Sequence, residues 1–372
     1  MNLSLSRSEF KTAVTTASTA CGKTAGTNAL RIVASADGVV VTGTDNATTL
    51  SVPCAANVEQ PGVALIDAGN LRQVLGVISD TTITIWPNKT EGRFDLVAGK
   101  TTFTLQGIDP ATFPPDPEAI TRPGIAVDAA DLRKVVDQTA FCIAPEDNRY
   151  GLNGAHLDAV DTPEGRMLRM VATDGNRLAW AQVPFTGTLE IGRRMLVPGQ
   201  ALARLRKMID NASGPVSIAF SERGIVATVA GATLHARLLE AEFPDYKAVM
   251  PTSFTRRVVV DRDVFTDGLR RVAVFASDGS HSVRFAFSGG AAGTLTLSAR
   301  KLDAGDSREE LSIDLAGEPI TIGFNAQYMQ EAVSATGASR VTMELGEVLS
   351  PCIIRALDGG NCLYVVMPIR LD

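Results

Sequence analysis

A single structural unit recurs six times along the chain, and this repetition limits the possible folds more than any other feature. Each copy has an apolar strand, a residue that can cap a helix, and a large apolar residue five positions after the strand ends. In residues 124–141, Ile125 and Val127 alternate as in a strand, and Leu132 and Val136 follow with helical spacing. The pattern predicts six short amphipathic helices, each entered from a strand.

The six copies share positions rather than identities. The last strand residues are Leu5, Leu65 or Ile66, Val127, Val197, Val260 and Phe324. The capping positions hold Ser6, Asp67, Asp128, Pro198, Asp261 and Asn325. The apolar partners five positions on are Phe10, Leu71, Leu132, Leu202, Phe265 and Met329. Five of the six capping residues are types whose side chains accept hydrogen bonds from the first helical amides, and Pro198 is the exception.

The spacing of the copies predicts how they are grouped. Successive copies are about 61 to 70 residues apart, which is longer than the repeats of helical solenoids. Six copies in three pairs therefore favour three similar α+β domains, with boundaries at 1–121, 122–250 and 251–372. Proline-rich segments with Phe113-Pro114 and Phe243-Pro244 close the first two predicted domains.

Composition places the chain among globular proteins and argues against several function classes. It has 372 residues, of which 45% are hydrophobic and 20% charged. No apolar run reaches membrane-spanning length, and the start MNLSLSRSEF lacks a signal-peptide core. An odd number of widely spaced cysteines without a CxxC motif favours free thiols in a reducing compartment, the cytoplasm. Three histidines without metal-ligand spacing indicate neither zinc nor another cofactor.

Charge is distributed unevenly. The formal net charge is −6, yet five of the six predicted helices are net positive, most strongly residues 202–209. These cations could simply be solvated helix faces. Alternatively, the helices could line one surface that meets a polyanion while an acidic exterior keeps the protein in solution.

Residues 17–24, ASTACGKT, imitate a phosphate-binding loop and supply the best case for an enzyme. Ala17 occupies the first glycine position, and a predicted helix rather than a strand precedes the loop. Nucleotide binding at Gly22-Lys23-Thr24 is therefore disfavoured, although Lys23 could contact a phosphate. No pattern of nucleophile and base, or of paired carboxylates, indicates catalysis elsewhere.

Several motifs resemble those of the bacterial DNA sliding clamps, the beta subunits of DNA polymerase III. They are VATDGNRLAWA (171–181), FPDYKAVMP (243–251), IGFNAQYM (322–329), SPCIIR (350–355) and YVVMPIRL (364–371), with TGTD (42–45) and LNG (152–154). The resemblance spans the whole length in the same order. It implies three tandem domains, with helices inside and antiparallel sheets outside, that close as a head-to-tail homodimeric ring. It also implies a non-catalytic processivity subunit, associated with the nucleoid, that encircles duplex DNA.

The implied DNA contacts are independent of sequence, because lumen cations bind phosphates without reading bases. Candidates are Lys23, Arg72, Arg133, Lys134, Arg149, Arg204, Arg206 and Lys207. The dimer seam would join the third domain to the first domain of the other chain, with Val274 and Phe275 as its apolar centre. A scaffold for protein interactions without a DNA role is the alternative.

The resemblance also implies a cleft that binds short apolar and aromatic peptide motifs of the polymerase, the clamp loader and repair proteins. Carried over residue by residue, it comprises Leu152, Thr173, Gly175, Asn176, Arg177, Leu178, Pro244, Val249, Asn325, Tyr328, Val365, Val366, Met367, Pro368, Ile369 and Arg370. Asn176 stands where histidine is frequent in the family, and Ala248 stands where a basic residue is frequent. We expect these two departures to alter the peptide preference and not the existence of the cleft.

Overall fold

The structure is a computed structural model that describes residues 1–145, 152–189, 195–210, 212–251, 253–276, 279, 281–289, 293–302 and 304–371. All six predicted helices are present in this part of the chain. They are α1 (Arg7–Ser18), α2 (Ala68–Val77), α3 (Ala129–Thr139), α4 (Gly199–Met208), α5 (Arg262–Val272) and α6 (Ala326–Ala335). Short 3-10 turns follow at Pro110–Thr112, Ala140–Cys142 and Ala273–Phe275.

The described residues form twenty-six strands, and one of them leads directly into each helix. They are β1 (Asn2–Ser6), β2 (Ala29–Ser35), β3 (Gly38–Thr44), β4 (Thr48–Cys54), β5 (Ala56–Gln60), β6 (Gly62–Asp67), β7 (Thr82–Pro87), β8 (Arg93–Ala98), β9 (Thr101–Ile108), β10 (Ile125–Asp128), β11 (Gly154–Thr162), β12 (Gly165–Thr173), β13 (Arg177–Pro184), β14 (Thr186–Gly187), β15 (Leu196–Pro198), β16 (Pro215–Phe220), β17 (Gly224–Val229), β18 (Ala232–Arg237), β19 (Arg256–Asp261), β20 (Ser282–Ser288), β21 (Gly293–Lys301), β22 (Gly305–Ala316), β23 (Ile320–Asn325), β24 (Arg340–Leu345), β25 (Cys352–Ala356) and β26 (Cys362–Val366).

The predicted caps act as such in four copies. The side chains of Asp67, Asp128, Asp261 and Asn325 accept hydrogen bonds from amides in the first turn of their helices. The prediction for Ser6 is wrong in its chemistry: its hydroxyl oxygen lies 3.0 Å from that of Ser8 and caps no amide. The four working caps satisfy amides that would otherwise lack a partner inside the helix, and thereby define where each helix begins.

The apolar partner in each copy is a core residue. Phe10, Leu71, Leu132, Leu202, Phe265 and Met329 are all at most 1% exposed. Each therefore removes nearly its whole side chain from water, which stabilises the fold by about 2 kcal/mol per side chain. This burial explains why the spacing between strand end and apolar residue is the same in all six copies.

The chain divides into two compact units. The first comprises Met1–Arg133, Phe185–Glu190 and Gln200–Leu238. Its fourteen strands form one sheet in the order β14-β10-β16-β17-β18-β4-β3-β2-β6-β9-β8-β7-β1-β5, with antiparallel pairing between neighbours. Helices α1 and α2 pack together over this sheet through a shared core that includes Phe10, Val14 and Leu71.

The second unit comprises Lys134–Pro184, Ile191–Gly199 and Leu239–Asp372. Its sheet has twelve strands in the order β15-β11-β12-β13-β26-β25-β24-β19-β22-β21-β20-β23. Phe285 packs edge-on against Phe324, with ring centroids 5.3 Å apart, and also contacts Phe265 of α5. Helices and antiparallel sheets thus make up both units, and the predicted α+β class is confirmed. The three domain boundaries stay predictions.

Candidate functional site: a cleft at one end of the second sheet

The cleft is built where strands distant in sequence pair. Strand β26 pairs antiparallel with β13, with Val366 opposite Arg177 and Val365 opposite Leu178. On its other side β26 pairs with β25, where Cys352 is opposite Val366. This register brings the start of β13, the end of β26 and the start of β25 to the same end of the sheet. Most residues assigned to the cleft from the sequence lie at this end.

The turn at residues 174–176 closes the β12–β13 hairpin at that end. Gly175 has a φ of +93°, in the region that strains other residues. The Thr173 hydroxyl donates to the carbonyl of Arg177 at 2.6 Å and accepts from the Gly175 amide at 3.1 Å. Gly175 and Asn176 are exposed, so both are accessible to a ligand.

One face of the sheet beside the turn is covered by side chains from residues 243–251 and by Phe254. Leu178, Val365 and Tyr246 are buried together, with Phe243 and Met250 packed at the margin. Phe243 also stacks on His156 at 5.4 Å, and burial lowers the pKa of that imidazole. The Tyr246 hydroxyl donates to Asp158 at 3.2 Å. These contacts anchor the segment that carries Pro244 and Val249, both exposed.

The opposite face holds Arg177, whose side chain is only 10% exposed. Its guanidinium donates to Asp174 at 3.0 Å, to Glu331 of α6, and to the carbonyl of Phe141 at 2.6 Å. It also lies over the ring of Tyr328 at 4.3 Å. Burial lowers the pKa of Arg177, but the hydrogen bond to Glu331 and the surrounding negative charges outweigh it, so the pKa lies above its usual value.

The terminal segment is attached at two points. The Met367 amide donates to the carbonyl of Asn176 at 2.9 Å, and the Ile369 amide donates to the carbonyl of Gly323 at 2.7 Å. Strand β26 ends at Val366, two residues before Pro368, which has no amide hydrogen to donate to a sheet. Met367 and Arg370 are both exposed.

The predicted cleft residues therefore divide by exposure. Those on the surface are Gly175, Asn176, Pro244, Val249, Met367 and Arg370. Those partly exposed are Arg177, Asn325, Tyr328, Pro368 and Ile369, and those buried are Leu152, Thr173, Leu178, Val365 and Val366. Leu152 precedes β11, and its carbonyl accepts from the Ala144 amide at 3.0 Å. A peptide could contact the exposed members, whereas the buried members form the wall behind them.

Two exposed apolar residues at the same end of the sheet were missed by the sequence reasoning. Val348 and Leu349 lie in the loop between β24 and β25, directly before Cys352. Because Cys352 pairs with Val366, this loop lies on the same edge as Met367 and the turn. The only signal in the sequence was their position just before the SPCIIR motif.

The predicted DNA contacts divide into cations that are exposed and cations that already bond to other groups of the protein. Lys23, Arg72, Lys134 and Lys207 are exposed, and no described residue forms an ion pair with them. Arg133 donates to the carbonyl of Ile209 at 3.1 Å, and Arg206 pairs with Asp210 at 2.8 Å. Arg149 lies outside the described residues.

Arg204 has a structural role within the first unit. Its side chain is 11% exposed, pairs with Asp45 at 2.7 Å and donates to the carbonyl of Thr19 at 2.9 Å. Asp45 in turn accepts from the amides of Ala47 and Thr48. Arg204 thereby joins α4 to the end of α1 and to the turn between β3 and β4.

We expect the Arg204→Met variant to be destabilised by about 2 kcal/mol, because Asp45 and the Thr19 carbonyl lose their partner in a largely buried place. Urea unfolding monitored by circular dichroism measures this difference. Lys207→Met on the same helix is the matched control and should change the free energy of unfolding by less than about 0.5 kcal/mol. Equal effects of the two substitutions would contradict the structural role.

The imitation phosphate loop does not form an anion cradle. The Gly22 amide donates to the carbonyls of Thr27 and Thr44, and the Thr24 hydroxyl contacts that of Thr27 at 2.8 Å. The loop follows α1 and not a strand. Because the Gly22 donor is already used and the strand–loop–helix context is missing, the geometry does not fit nucleotide binding.

At the predicted dimer seam, Val274 and Phe275 differ in exposure. The Val274 side chain is 70% exposed in the 3-10 turn Ala273–Phe275. Phe275 is partly buried, and its ring covers Gly305 at the start of β22. Leu302, in the β21–β22 hairpin, is also exposed.

Comparisons with known proteins identify the family. Residues 126–245 match the central domain of the DNA polymerase III beta subunit, and residues 247–370 match its C-terminal domain. Together the matches include more than half of the chain. The chain belongs to the DNA polymerase III beta subunit family. Membership assigns it the function of a DNA sliding clamp, a non-catalytic processivity subunit.

Relatives and solved structures agree with this assignment. The beta sliding clamp of Caulobacter vibrioides is 29% identical over 318 residues, which are 85% of this chain and 84% of that protein. The Bartonella birtlesii sliding clamp bound to griselimycin has a TM-score of 0.93 at 26% identity, covering 100% of both chains. The Caulobacter crescentus clamp has a TM-score of 0.92 at 26% identity, covering 100% of this chain and 99% of that chain. The fold of the beta clamps is thus confirmed for this chain.

In the part of the chain that the structure describes, no helix is both long enough and apolar enough to cross a bilayer.

Proposed function

We propose that two copies of this chain close head to tail into a ring around duplex DNA and tether the polymerase to it. The observation that carries the proposal is the match of the whole chain, both sheets included, to sliding clamps. Ring closure uses a heterologous contact that is satisfied twice in the dimer. The site of action is the nucleoid in the cytoplasm, where the polymerase, the clamp loader and repair proteins are its partners.

Retention on DNA comes from encirclement, and the cations of the inner surface contribute a weak attraction. Among the described residues of the predicted set, the exposed ones are Lys23, Arg72, Lys134 and Lys207. Contacts of such groups with phosphates release counterions, so they weaken as salt rises and carry no base specificity. This combination allows the ring to slide while preventing its dissociation.

The test uses DNA topology. The protein is placed on nicked circular duplex by a clamp loader, and the complex is separated by gel filtration before and after a single cut. Retention on the circle with release from the linear form is the expected result. A stable monomer by light scattering, or equal retention on both forms, would rule out the ring.

Neutralising the four exposed cations should weaken loader-independent binding to a duplex. For the variant in which Lys23, Arg72, Lys134 and Lys207 are replaced by alanine, the slope of log affinity against log salt should become shallower by up to about four, one for each lost phosphate contact. Fluorescence anisotropy with a labelled duplex at several salt concentrations measures the slope.

The matched control replaces four exposed cations that are not among the predicted DNA contacts. They are Lys89, Lys100, Arg223 and Arg237. This variant has the same change in net charge, so an equal slope in the two variants would show a general charge effect and contradict the assignment.

We further propose that the cleft beside the 174–176 turn takes the peptide motifs of those partners. The exposed apolar groups of Val249, Val348, Leu349 and Met367 suit leucine and aromatic side chains. The Caulobacter crescentus clamp holds polyethylene glycol at the region proposed for tethering the beta-motif. With Asn176 and Ala248 at its rim, the cleft offers an amide and a methyl group, which favours peptides without an acidic residue at those contacts.

A further inference from the structure

The 174–176 turn depends on hydrogen bonds for its position, because little packs against it. Gly175 and Asn176 are exposed. A Cβ atom added to Gly175 would meet no other atom within 4 Å. Surface turns are mobile unless other contacts hold them, so the polar contacts behind this turn decide its position.

Besides the Thr173 hydroxyl, the group that holds the turn is the Asp174 side chain, which is 12% exposed. One oxygen accepts from the amides of Asn176 at 2.9 Å and Arg177 at 3.1 Å. The other accepts from the Arg177 side chain at 3.0 Å. The orientation of this carboxylate, and with it the path of the turn, is therefore coupled to where the guanidinium lies.

The guanidinium is in turn held by α6. Glu331 accepts from one terminal nitrogen of Arg177, and the ring of Tyr328 lies against the guanidinium plane at 4.3 Å. Gln327 donates to the second oxygen of Glu331 at 2.9 Å, which fixes that carboxylate. The planar fork of arginine suits these several acceptors, and an ammonium group could not reach all of them.

Both hydrogen bonds of the terminal segment connect it indirectly to α6. Met367 is bonded to the turn through Asn176, and Ile369 is bonded to Gly323 in β23, the strand that runs into α6. A displacement of the turn would therefore move Met367 relative to Ile369 and change the width of the cleft.

We propose that Glu331, Tyr328 and Arg177 form a latch by which α6 sets the geometry of the peptide cleft. In this latch Glu331 is a positioning residue, which acts through Arg177 and Asp174 without contacting the peptide. The inference rests on the proposed peptide-binding function. It makes the affinity for partners depend on a charge that lies on a helix behind the cleft.

The Glu331→Gln substitution tests the latch with little change in shape. Glu331 is 34% exposed, so the amide leaves no cavity and the helix is retained. Without the Glu331 carboxylate, Asp174 is the one carboxylate left to balance the charge of the Arg177 guanidinium. The guanidinium then moves toward Asp174, and Asp174 moves away from the two turn amides. We expect the Kd for peptide to rise about tenfold, the loss typical of a charged hydrogen bond.

The measurement is fluorescence anisotropy of a fluorescein-labelled synthetic peptide carrying leucine and phenylalanine, titrated with the full-length protein. Asp314→Asn is the matched control, because Asp314 makes an ion pair with Arg340 at 2.8 Å through two exposed side chains. The control should leave the Kd unchanged.

Arg177→Lys should weaken binding at least as much as Glu331→Gln. The double variant should bind no worse than Arg177→Lys alone, since both substitutions act through one bridge.

A second readout separates positioning from general destabilisation. Amide hydrogen exchange at Asn176, Arg177 and Met367 should become faster in Glu331→Gln, while exchange in β25 and the midpoint of thermal unfolding stay unchanged. Unaltered exchange at the turn, or faster exchange throughout the unit, would overturn the latch.

The outcomes distinguish the inference from the function on which it rests. If the unaltered protein does not bind the peptide, the cleft itself is wrongly assigned. If the unaltered protein binds and Glu331→Gln binds equally well, the cleft stands and the latch is refuted. Equal weakening by Asp314→Asn would likewise refute the latch, because the effect would then follow from net charge.

Discussion

Truncation before Met367, which removes residues 367–372, should abolish binding of partner peptides and leave the dimer intact. The deletion removes the exposed Met367 side chain together with the two hydrogen bonds that tie the terminal segment to Asn176 and Gly323. Strand β26 keeps its pairing with β13 and β25, because these pairs end at Val366. We expect peptide affinity to fall by more than about 100-fold, as when several central contacts of an interface are lost together.

Anisotropy with the labelled peptide measures the affinity, and light scattering measures the mass of the truncated protein. Arg370→Ala serves as the control, since it removes one exposed side chain and leaves both backbone bonds in place. It should weaken binding by less than about tenfold. Normal peptide binding by the truncated chain would show that the cleft lies elsewhere.

A charge at the predicted seam should separate the ring into monomers. Val274 is the exposed apolar residue of the turn Ala273–Phe275, and Val274→Arg would place an unpaired guanidinium in an apolar contact. Burying such a charge costs several kcal/mol, and the contact occurs twice in the ring. We expect a dimer dissociation constant raised by more than about 1,000-fold, with loss of retention on nicked circles.

Sedimentation over a range of protein concentrations measures this constant. Val249→Arg is the matched control, because Val249 is an exposed valine of the second predicted domain, which takes no part in the predicted seam. Its dimer should dissociate at the same concentration as that of the unaltered protein. A Val274→Arg variant that stays dimeric and topologically retained would remove Val274 from the seam.

The helices were predictable because their signals are local. A strand, a cap and an apolar residue five positions later lie within one short segment. Burial of that apolar side chain stabilises each copy in the same way. Ser6 shows the limit of such reasoning, since the residue type was suitable but its hydroxyl bonds to Ser8 instead of a helical amide. A cap is a matter of rotamer as well as residue type.

The cleft was only partly predictable. The motifs indicated its members, but Val348 and Leu349 were missed because their place beside Met367 follows from the pairing of β25 with β26. Arg177 was predicted as a lining residue, and its contacts with Asp174, Phe141 and Glu331 became known only from the fold. These partners lie on three different elements, so no periodicity links them.

The sequence by itself determined the six strand-to-helix units, the family and the residues from which a clamp could be built. Each of these depends on residue types at short spacing or on motifs in order. Only the tertiary structure decided which cations face solvent and which bond to other groups of the protein. Arg204, for example, bonds to Asp45 and to the carbonyl of Thr19. The reason is physical: the charge of an arginine follows from its formula, whereas its partners follow from chain segments that meet only after folding.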